Sequence, residues 1–329
     1  ASHTRLFSTS SEAISDFFAR PEDTFESIGV RSPVLLSRLQ TLGLTRPSAV
    51  QSKAFQTILE GTADATIGAE TGSGKTLAYL LPLIDDILQQ KANSHDGTTG
   101  YDFCRAMILV PNKELVNQVV RMAEPLCGGP TAVLSATNNR GEFNSGPSPS
   151  KDNIPPSKIV RLAVMPGGLN APDDFQPFRK SIALGGSEPP PDLVISTPAS
   201  FGPMGLRPKH IDLFADIRTL VIDEADMLLD GGYIRSLEHV LTGFRRADKL
   251  DSAYGVAKTQ HVFVAATLPD MGLRSVDAYL QKKFPYAQRI SMSGMHNARH
   301  YGLRESTKWI EMEGNKERMQ ELVNMFEIP

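Results

Sequence analysis

The sequence of 329 residues contains little cysteine and no long apolar run. Its two cysteines, Cys104 and Cys127, lie far apart and have no metal-ligand spacing, so we expect buried, reduced thiols and a reducing compartment. No stretch approaches the roughly 20 apolar residues that a membrane-spanning helix requires, which excludes a membrane span. Lys and Arg number 34 against 37 Asp and Glu, a net charge of -3, so any nucleic-acid surface must be a local patch.

Six short apolar runs alternate with stretches of helical periodicity. The runs occupy residues 65–68, 106–110, 159–164, 193–196, 220–223 and 262–266. Continuous apolar runs of this length are typical of strands buried on both faces, which occur in parallel sheets covered by helices on each side. Helical periodicity is clearest at 77–88 and 115–127. The pattern predicts an α/β fold with a doubly wound, mostly parallel sheet and with ligand sites at the carboxyl ends of its strands.

Composition divides the chain into three parts. We expect an N-terminal extension at residues 1–24, one α/β domain at 25–290, and a linker with the first elements of an absent second domain at 291–329. Within the domain, residues 128–157 are rich in Gly, Pro and Ser. This composition predicts a polar loop insertion, because such a segment cannot bury enough apolar surface to fold alone.

A candidate phosphate-binding loop follows the first apolar run and opens a helix. Its eight residues are Ala69, Glu70, Thr71, Gly72, Ser73, Gly74, Lys75 and Thr76. Glycines let backbone N–H groups curl around phosphate oxygens, and the helix N-terminus adds partial positive charge. We expect Lys75 to reach the β- and γ-phosphates of a nucleotide and the Thr76 hydroxyl to coordinate Mg²⁺. The alternative is a glycine-rich turn with a structural role.

Two adjacent acids, Asp223 and Glu224, stand at the end of the fifth apolar run. At the carboxyl end of a strand, Asp223 can hold Mg²⁺ through water and Glu224 can activate an attacking water. The alternative is a pair of acids that caps the next helix, which the phosphate loop in the same chain makes less attractive. Lys75 and Glu224 are therefore the candidate catalytic residues, with Thr76 and Asp223 at the metal.

The phosphate loop at 69–76 and the Asp-Glu-Ala-Asp sequence at 223–226 resemble the first two motifs of the DEAD-box ATP-dependent RNA helicases. The resemblance covers residues 25–310 and implies a RecA-like domain that binds ATP, Mg²⁺ and RNA. It also implies that Gln51 hydrogen-bonds the adenine edge and that Phe25 stacks on its face. An amide offers adenine both a donor and an acceptor, and an aromatic face packs on a base. On spacing alone, Phe25 is more typical of a core aromatic.

Three further segments resemble RNA-contacting motifs of this family. The matching residues are Pro111, Lys113, Gly167, Gly168, Thr197 and Pro198. Lys113 stands where the family has Arg, which keeps the charge but loses the bidentate fork. Gly185 and Gly186 are a rival pair for the glycine motif. Ala199 and Ser200 replace a family Gly and Arg, which weakens the case for one phosphate contact.

A last segment resembles the family motif Ser-Ala-Thr, which links the Asp-Glu-Ala-Asp acids to RNA strand separation. By this resemblance the coupling residues are Asp226, Ala265 and Thr267. Ala265 replaces the family Ser and has no hydroxyl to make that link. We therefore expect hydrolysis to be coupled to unwinding less efficiently than in a typical member.

These features favour an RNA-dependent ATPase that remodels structured RNA. We expect this chain alone to have little activity, because the family's second domain completes the ATP site and the RNA groove. The alternative is a non-catalytic scaffold that uses the fold to dock on RNA or a ribosome. Ala265, the lost family Gly and Arg at 199–200 and the insertion at 128–157 favour the scaffold. Lys75, Glu224 and Gln51 oppose it, since a scaffold has no need of them.

The first residues have the composition of an organelle transit segment. They are rich in Ser and Thr, contain Arg5, and have no acid before Glu12. Residues 5–8, Arg-Leu-Phe-Ser, resemble the Arg-x-aromatic-Ser site of the mitochondrial processing peptidase. We therefore expect a protein of the mitochondrial matrix that acts on ribosomal RNA during large-subunit assembly, with ribosomal or assembly proteins as partners. A polar terminus without this role, in a nuclear or cytoplasmic protein, is the alternative.

Overall fold

The computed structural model describes residues 19–20, 22–94, 104–129, 131–133, 155–165, 191–208, 211–229, 232–253, 258–266 and 276–291. All of them belong to the first of two units, Ala1–His296, and the second unit is Asn297–Pro329. The candidate transit segment and most of the expected linker at 291–329 lie outside the described residues. Within the described part of the chain, no helix is both long and apolar enough to span a bilayer.

Eight strands form one sheet in which every pairing is parallel. In chain order they are β1 (Ala65–Gly68), β2 (Ala106–Leu109), β3 (Thr131–Val133), β4 (Leu162–Met165), β5 (Leu193–Ser196), β6 (Thr219–Ile222), β7 (Gln260–Ala265) and β8 (Gln288–Ser291). Their order across the sheet is β3-β4-β5-β2-β6-β7-β1-β8. Strand β2 lies between β5 and β6, with Ile108 opposite Ile195 and Val221. The predicted doubly wound parallel sheet is confirmed, and all carboxyl ends meet at one edge.

Nine α-helices surround the sheet within the described residues. They are α1 (Pro33–Thr41), α2 (Ala49–Glu60), α3 (Lys75–Asn93), α4 (Lys113–Cys127), α5 (Pro198–Gly205), α6 (Asp212–Ala215), α7 (Ala225–Leu229), α8 (Ile234–Ala253) and α9 (Val276–Lys283). Several begin at a residue whose side chain accepts a bond from the first turn: Ser32 caps α1, Asn112 caps α4 and Thr197 caps α5. These caps fix where each helix leaves the preceding loop.

The core consists of two apolar clusters, one on each face of the sheet. Alternate strand residues belong to different clusters, so Ile108 lies in one and its neighbours Met107 and Leu109 lie in the other. The first cluster contains residues of α1 to α4, and the second contains residues of α5 to α9. The β-sheet is therefore buried on both faces, as its unbroken apolar runs require.

Three details of the strand prediction were wrong. The segment 128–157, predicted to be a polar loop, contains β3 near its start, and the run predicted at 159–164 forms a strand only from Leu162. Strand β8 was not predicted, because it lies at the sheet edge and buries Ile290 alone. Both missed strands are edge strands, which need few apolar residues and leave a weak sequence pattern.

Candidate active site

The phosphate loop connects the carboxyl end of β1 to the first turn of α3. Gly72 and Gly74 have positive φ angles of 85° and 93°, a conformation that strains residues with a side chain. A Cβ atom at Gly74 would lie 2.5 Å from Gln51 Nε2, whereas one at Gly72 would meet nothing within 4 Å. The loop is thus packed on the Gly74 side and open on the Gly72 side, where a phosphate has room.

Lys75 is the first residue of α3 and is 8% exposed. Its Nζ donates to the Ala69 carbonyl oxygen at 2.6 Å, and no ion pair of Lys75 is found among the described residues. Burial lowers the pKa of Lys75, an effect that the nearby acids Glu224 and Asp223 oppose. Within the described part of the chain, the ammonium group is therefore near acids but in no ion pair.

Ser73 also presents a polar group in the loop. Its Oγ atom is buried and has no hydrogen-bond partner in the described structure. A buried hydroxyl without a partner is costly, and an anion in the loop could accept a bond from it. The loop therefore fits a phosphate group by its backbone shape, by its ammonium group and by this orphaned hydroxyl.

Asp223 follows β6, and its carboxylate is held on both sides. Oδ1 accepts from the Glu224 N–H at 2.9 Å, and Oδ2 accepts from the Tyr79 hydroxyl at 2.7 Å. Burial raises the pKa of Asp223, while the bonds from Tyr79 and Glu224 oppose that rise. The backbone N–H of Asp223 donates to the Leu109 carbonyl oxygen, which fixes the end of β6 against β2.

Glu224 has an unusual backbone. Its φ angle is 51°, the one positive value among the non-glycine residues that the structure describes. Residues held in this region cost of the order of 1–3 kcal/mol and cluster at functional sites. Burial raises the pKa of Glu224, and the charges of Asp223 and Asp226 raise it further. A half-buried carboxylate of raised pKa suits a general base.

Thr76 and Asp223 supply the oxygen atoms expected at Mg²⁺. The Tyr79 hydroxyl donates to Asp223 Oδ2, and Tyr79 lies three positions after Thr76 on α3. In the described part of the chain, no cluster of three or more His, Cys, Asp or Glu residues could hold a metal alone. The residues present fit Mg²⁺, which commonly takes one or two protein ligands and completes its shell with water and substrate phosphates.

Gln51 joins the predicted adenine-reading segment to the phosphate loop. It is 4% exposed; its Oε1 accepts from the Ser48 N–H at 2.9 Å, and its Nε2 donates to the Gly74 carbonyl oxygen at 3.2 Å. The amide retains one N–H and one lone pair for a base. Phe25 is 4% exposed and belongs to the first core cluster, as expected if it is a core aromatic. Its stacking on adenine stays a prediction that requires its ring face to become accessible.

The predicted RNA residues of β2 and β5 lie at the same sheet edge as the phosphate loop. Lys113 is exposed at the start of α4, whereas Pro111, Thr197 and Pro198 are buried. The Thr197 hydroxyl caps α5 and hydrogen-bonds the Ser200 hydroxyl at 2.9 Å. Because Ser200 is buried, it cannot substitute for the family Arg.

The two glycine pairs at 167–168 and 185–186 lie outside the described residues, and so does Thr267. Of the predicted coupling residues, Asp226 is half-buried in α7 and Ala265 is buried at the end of β7. The Ala265 carbonyl oxygen accepts from the Ala69 N–H at 3.2 Å. A backbone contact therefore joins this strand to the phosphate loop, although the side-chain hydroxyl of the family is missing.

Sequence reasoning missed Tyr79, which hydrogen-bonds the predicted metal ligand Asp223. A signal was present: Tyr79 follows Lys75 by four positions and Thr76 by three, which places all three on one face of α3. Its partner Asp223 is 144 positions away. No local pattern could reveal that contact.

Comparison with known proteins identifies relatives over most of the chain. A family profile described as "DEAD/DEAH box helicase" matches residues 48–150 and 160–275. The chain is 31% identical over 267 residues to DEAD-box ATP-dependent RNA helicase 47A of Oryza sativa subsp. japonica, covering 78% of this chain and 39% of that protein. It is 29% identical over 262 residues to ATP-dependent RNA helicase DBP9 of Candida albicans, covering 79% and 36%. The chain spans less than half the length of these two relatives.

A solved structure shows the same fold. The RNA helicase Prp28 from Chaetomium thermophilum bound to ADP aligns with a TM-score of 0.53 and 20% identity, covering 94% of this chain and 59% of that one. At this identity the likeness concerns the fold alone. It agrees with the RecA-like arrangement expected from the order of the sequence motifs.

Proposed function

Because this chain belongs to the DEAD/DEAH box helicase family, we propose that the protein binds ATP with Mg²⁺ and hydrolyses it when RNA is bound. One observation carries the proposal: α3 and the end of β6 bring three groups to one sheet edge. They are the Lys75 ammonium group, which has no ion pair among the described residues, the oriented Asp223 carboxylate, and Glu224 with its strained backbone. A structural role requires neither a buried ammonium group of this kind nor the strain.

The residues divide the chemistry between them. Lys75 would offset the negative charge of the β- and γ-phosphates, and the loop N–H groups would donate hydrogen bonds to their oxygen atoms. Thr76 and Asp223 would hold Mg²⁺, which supplies charge neutralisation at the transferred phosphate. Glu224 would orient the attacking water and accept its proton, a role supported by its raised pKa. Gln51 would select adenine with its remaining donor and acceptor.

RNA would bind along the neighbouring carboxyl ends of β2 and β5. Helices α4 and α5 both begin there, and their free N–H groups and partial positive charge favour phosphate oxygens. Lys113 adds an exposed ammonium at the start of α4. Since Ser200 is buried, this edge has fewer cationic side chains than the family pattern, and we expect weaker RNA binding.

A non-catalytic scaffold is the second candidate. The observations that favour it are the absence of a hydroxyl at Ala265 and the burial of Ser200, both on the side of RNA coupling. The ATP side argues against it, because the phosphate loop and Glu224 retain geometry that docking does not need. The two candidates differ in one measurable property, which is RNA-stimulated hydrolysis of ATP.

Steady-state ATP hydrolysis by the full-length protein, with and without structured RNA, tests the proposal. We expect RNA to raise the rate, and Glu224→Gln to lower it roughly 100-fold while nucleotide binding is kept, as for loss of a general base. Glu60→Gln, an exposed acid at the end of α2, is the matched control and should leave the rate unchanged. Hydrolysis that RNA does not stimulate, or a Glu224→Gln variant with the wild-type rate, would contradict an RNA-dependent ATPase.

We further propose that the protein acts on ribosomal RNA of the mitochondrial large subunit. The support is the acid-poor, Ser-rich start of the chain with its Arg-Leu-Phe-Ser at residues 5–8. Import assays and crosslinking to RNA in cells test this, and we expect matrix protein crosslinked to ribosomal RNA. Recovery in the nucleus or cytosol, or crosslinks confined to messenger RNA, would contradict this role and leave the ATPase proposal standing.

A further inference from the structure

The Tyr79 side chain spans the gap between α3 and the end of β6. Its ring is fully buried in the first core cluster, and its hydroxyl donates to Asp223 Oδ2 at 2.7 Å. Thr76 lies three positions before Tyr79 on α3 and influences the pKa of the same hydroxyl. One buried hydroxyl therefore bonds the carboxylate that would hold Mg²⁺ and lies on the same helix face as Thr76.

The Tyr79 bond determines how Asp223 is oriented. The other carboxylate oxygen, Oδ1, accepts from the Glu224 N–H at 2.9 Å, so each oxygen has one fixed donor. Two donors on opposite sides define the plane of a carboxylate and leave one lone pair direction on each oxygen for further partners. Without Tyr79, the carboxylate would keep one fixed bond and could rotate about its Cβ–Cγ bond.

We propose that Tyr79 is a positioning residue of the Mg²⁺ site, whose hydroxyl holds the Asp223 carboxylate in the orientation that the metal requires. The proposal rests on the proposed function, since it concerns the metal that accompanies ATP. Groups that orient metal ligands in this way affect metal affinity without touching the metal. A phenylalanine ring would fill the same space in the core, so the hydroxyl can be removed while the packing is kept.

The test is the Mg²⁺ dependence of nucleotide binding by this chain carrying Tyr79→Phe. A fluorescent ADP analogue is titrated across a range of MgCl₂ concentrations and again in EDTA, and thermal melting checks the fold. The matched control is Tyr279→Phe, which removes a hydroxyl that also donates to a carboxylate, that of Glu238, on the other face of the sheet. We expect Tyr79→Phe to raise the half-saturating Mg²⁺ concentration about tenfold and to leave the affinity in EDTA unchanged.

A structural role for Tyr79 predicts a different result. Loss of packing or of local order would weaken nucleotide binding in EDTA as much as in Mg²⁺, and this outcome would overturn the proposal, as would wild-type Mg²⁺ dependence in Tyr79→Phe. The Tyr279→Phe control should match wild type in both conditions. If the wild-type chain showed no Mg²⁺-dependent binding at all, the proposed function would fail first, which the titration distinguishes from a failure confined to Tyr79.

A second variant tests whether Tyr79 acts through Asp223. In an Asp223→Asn background the side chain still accepts a hydrogen bond from Tyr79, but its negative charge is lost. Adding Tyr79→Phe to that background should then change the Mg²⁺ dependence far less than tenfold. An undiminished tenfold effect would show that Tyr79 acts on something other than the Asp223 carboxylate, and it would overturn the proposal.

Discussion

Helix α3 carries a buried lysine near each end, and the two lysines have different partners. Lys91, in the last turn, forms an ion pair with Asp192 in which both side chains are fully buried, and it also donates to the Ile159 carbonyl oxygen. Lys75, in the first turn, donates to the Ala69 carbonyl oxygen instead. Burial lowers the pKa of both lysines. Burial is thus opposed by carboxylates at both lysines, but among the described residues only Lys91 forms a direct ion pair with one.

The difference follows from the two edges of the sheet. Asp192 precedes β5, so the Lys91 pair lies at the amino edge, where Arg161 also contacts Asp192 at 3.3 Å. Lys75 lies at the carboxyl edge, near acids that are not within its hydrogen-bonding reach. In a doubly wound fold, ligands bind at the carboxyl edge. The charge at the amino edge is neutralised within the protein, whereas the charge at the carboxyl edge is available to a ligand.

The largest effect on stability is expected at the amino edge. Lys91→Met should lower the free energy of unfolding by about 3 kcal/mol, because it removes the ammonium group that pairs with the fully buried Asp192 carboxylate. Urea denaturation of this chain measures the change. Adding Asp192→Asn should recover part of the loss, since no uncompensated carboxylate remains. A Lys91→Met variant as stable as wild type would show that the pair does not stabilise this edge.

A smaller effect on stability is expected from Lys75→Met. Its bond to the Ala69 carbonyl oxygen is lost, but so is the cost of burying an ammonium group without a paired anion. We expect the free energy of unfolding to change by less than about 1 kcal/mol in the same urea experiment. A loss as large as that of Lys91→Met would show that both lysines stabilise the fold to the same extent. This result would contradict the difference that we infer between the two edges.

The smallest expected effect is on the alkylation rate of Cys127. Cys127 ends α4 and is fully buried, and burial raises its pKa to about 12, so the wild-type thiol should resist iodoacetamide at pH 8. Lys91 and Asp192 are among the charges that act on this thiol. Because the charge of Lys91 lowers the pKa of this thiol, its loss acts against alkylation. The faster alkylation that we expect of Lys91→Met therefore comes from more frequent opening of the destabilised amino edge, and Lys75→Met should show no such increase. Equal labelling rates in both variants would contradict a local effect at the amino edge.

The two cysteines also show what composition can predict. Cys104 and Cys127 are free and buried, which confirms the expectation of two reduced thiols. The parallel sheet was equally readable, because strands buried on both faces require continuous apolar runs. The edge strands β3 and β8 were not, since an edge strand with one buried residue has no such run.

The candidate site could be predicted where its residues are consecutive. The phosphate loop and the acids Asp223 and Glu224 are local motifs, and the structure brings them together at one edge. The contacts that organise them are not local: Tyr79 meets Asp223 across 144 positions, and Gln51 meets Gly74 across 23. The burial of Ser200 could not be predicted from the sequence either, because its contact with the capping residue Thr197 depends on where α5 begins.

Titration of this chain with ATP and Mg²⁺ tests whether Lys75 at the carboxyl edge binds a phosphate group. Wild type and Lys91→Met, the latter at a temperature where it is folded, should bind with similar affinity, because the proposed nucleotide site lies at the opposite edge of the sheet. Lys75→Met should bind roughly 100-fold more weakly, the loss expected when charge-assisted bonds to phosphate are removed. If Lys75→Met bound ATP with the affinity of the wild type, the proposal that Lys75 binds a phosphate group would be contradicted.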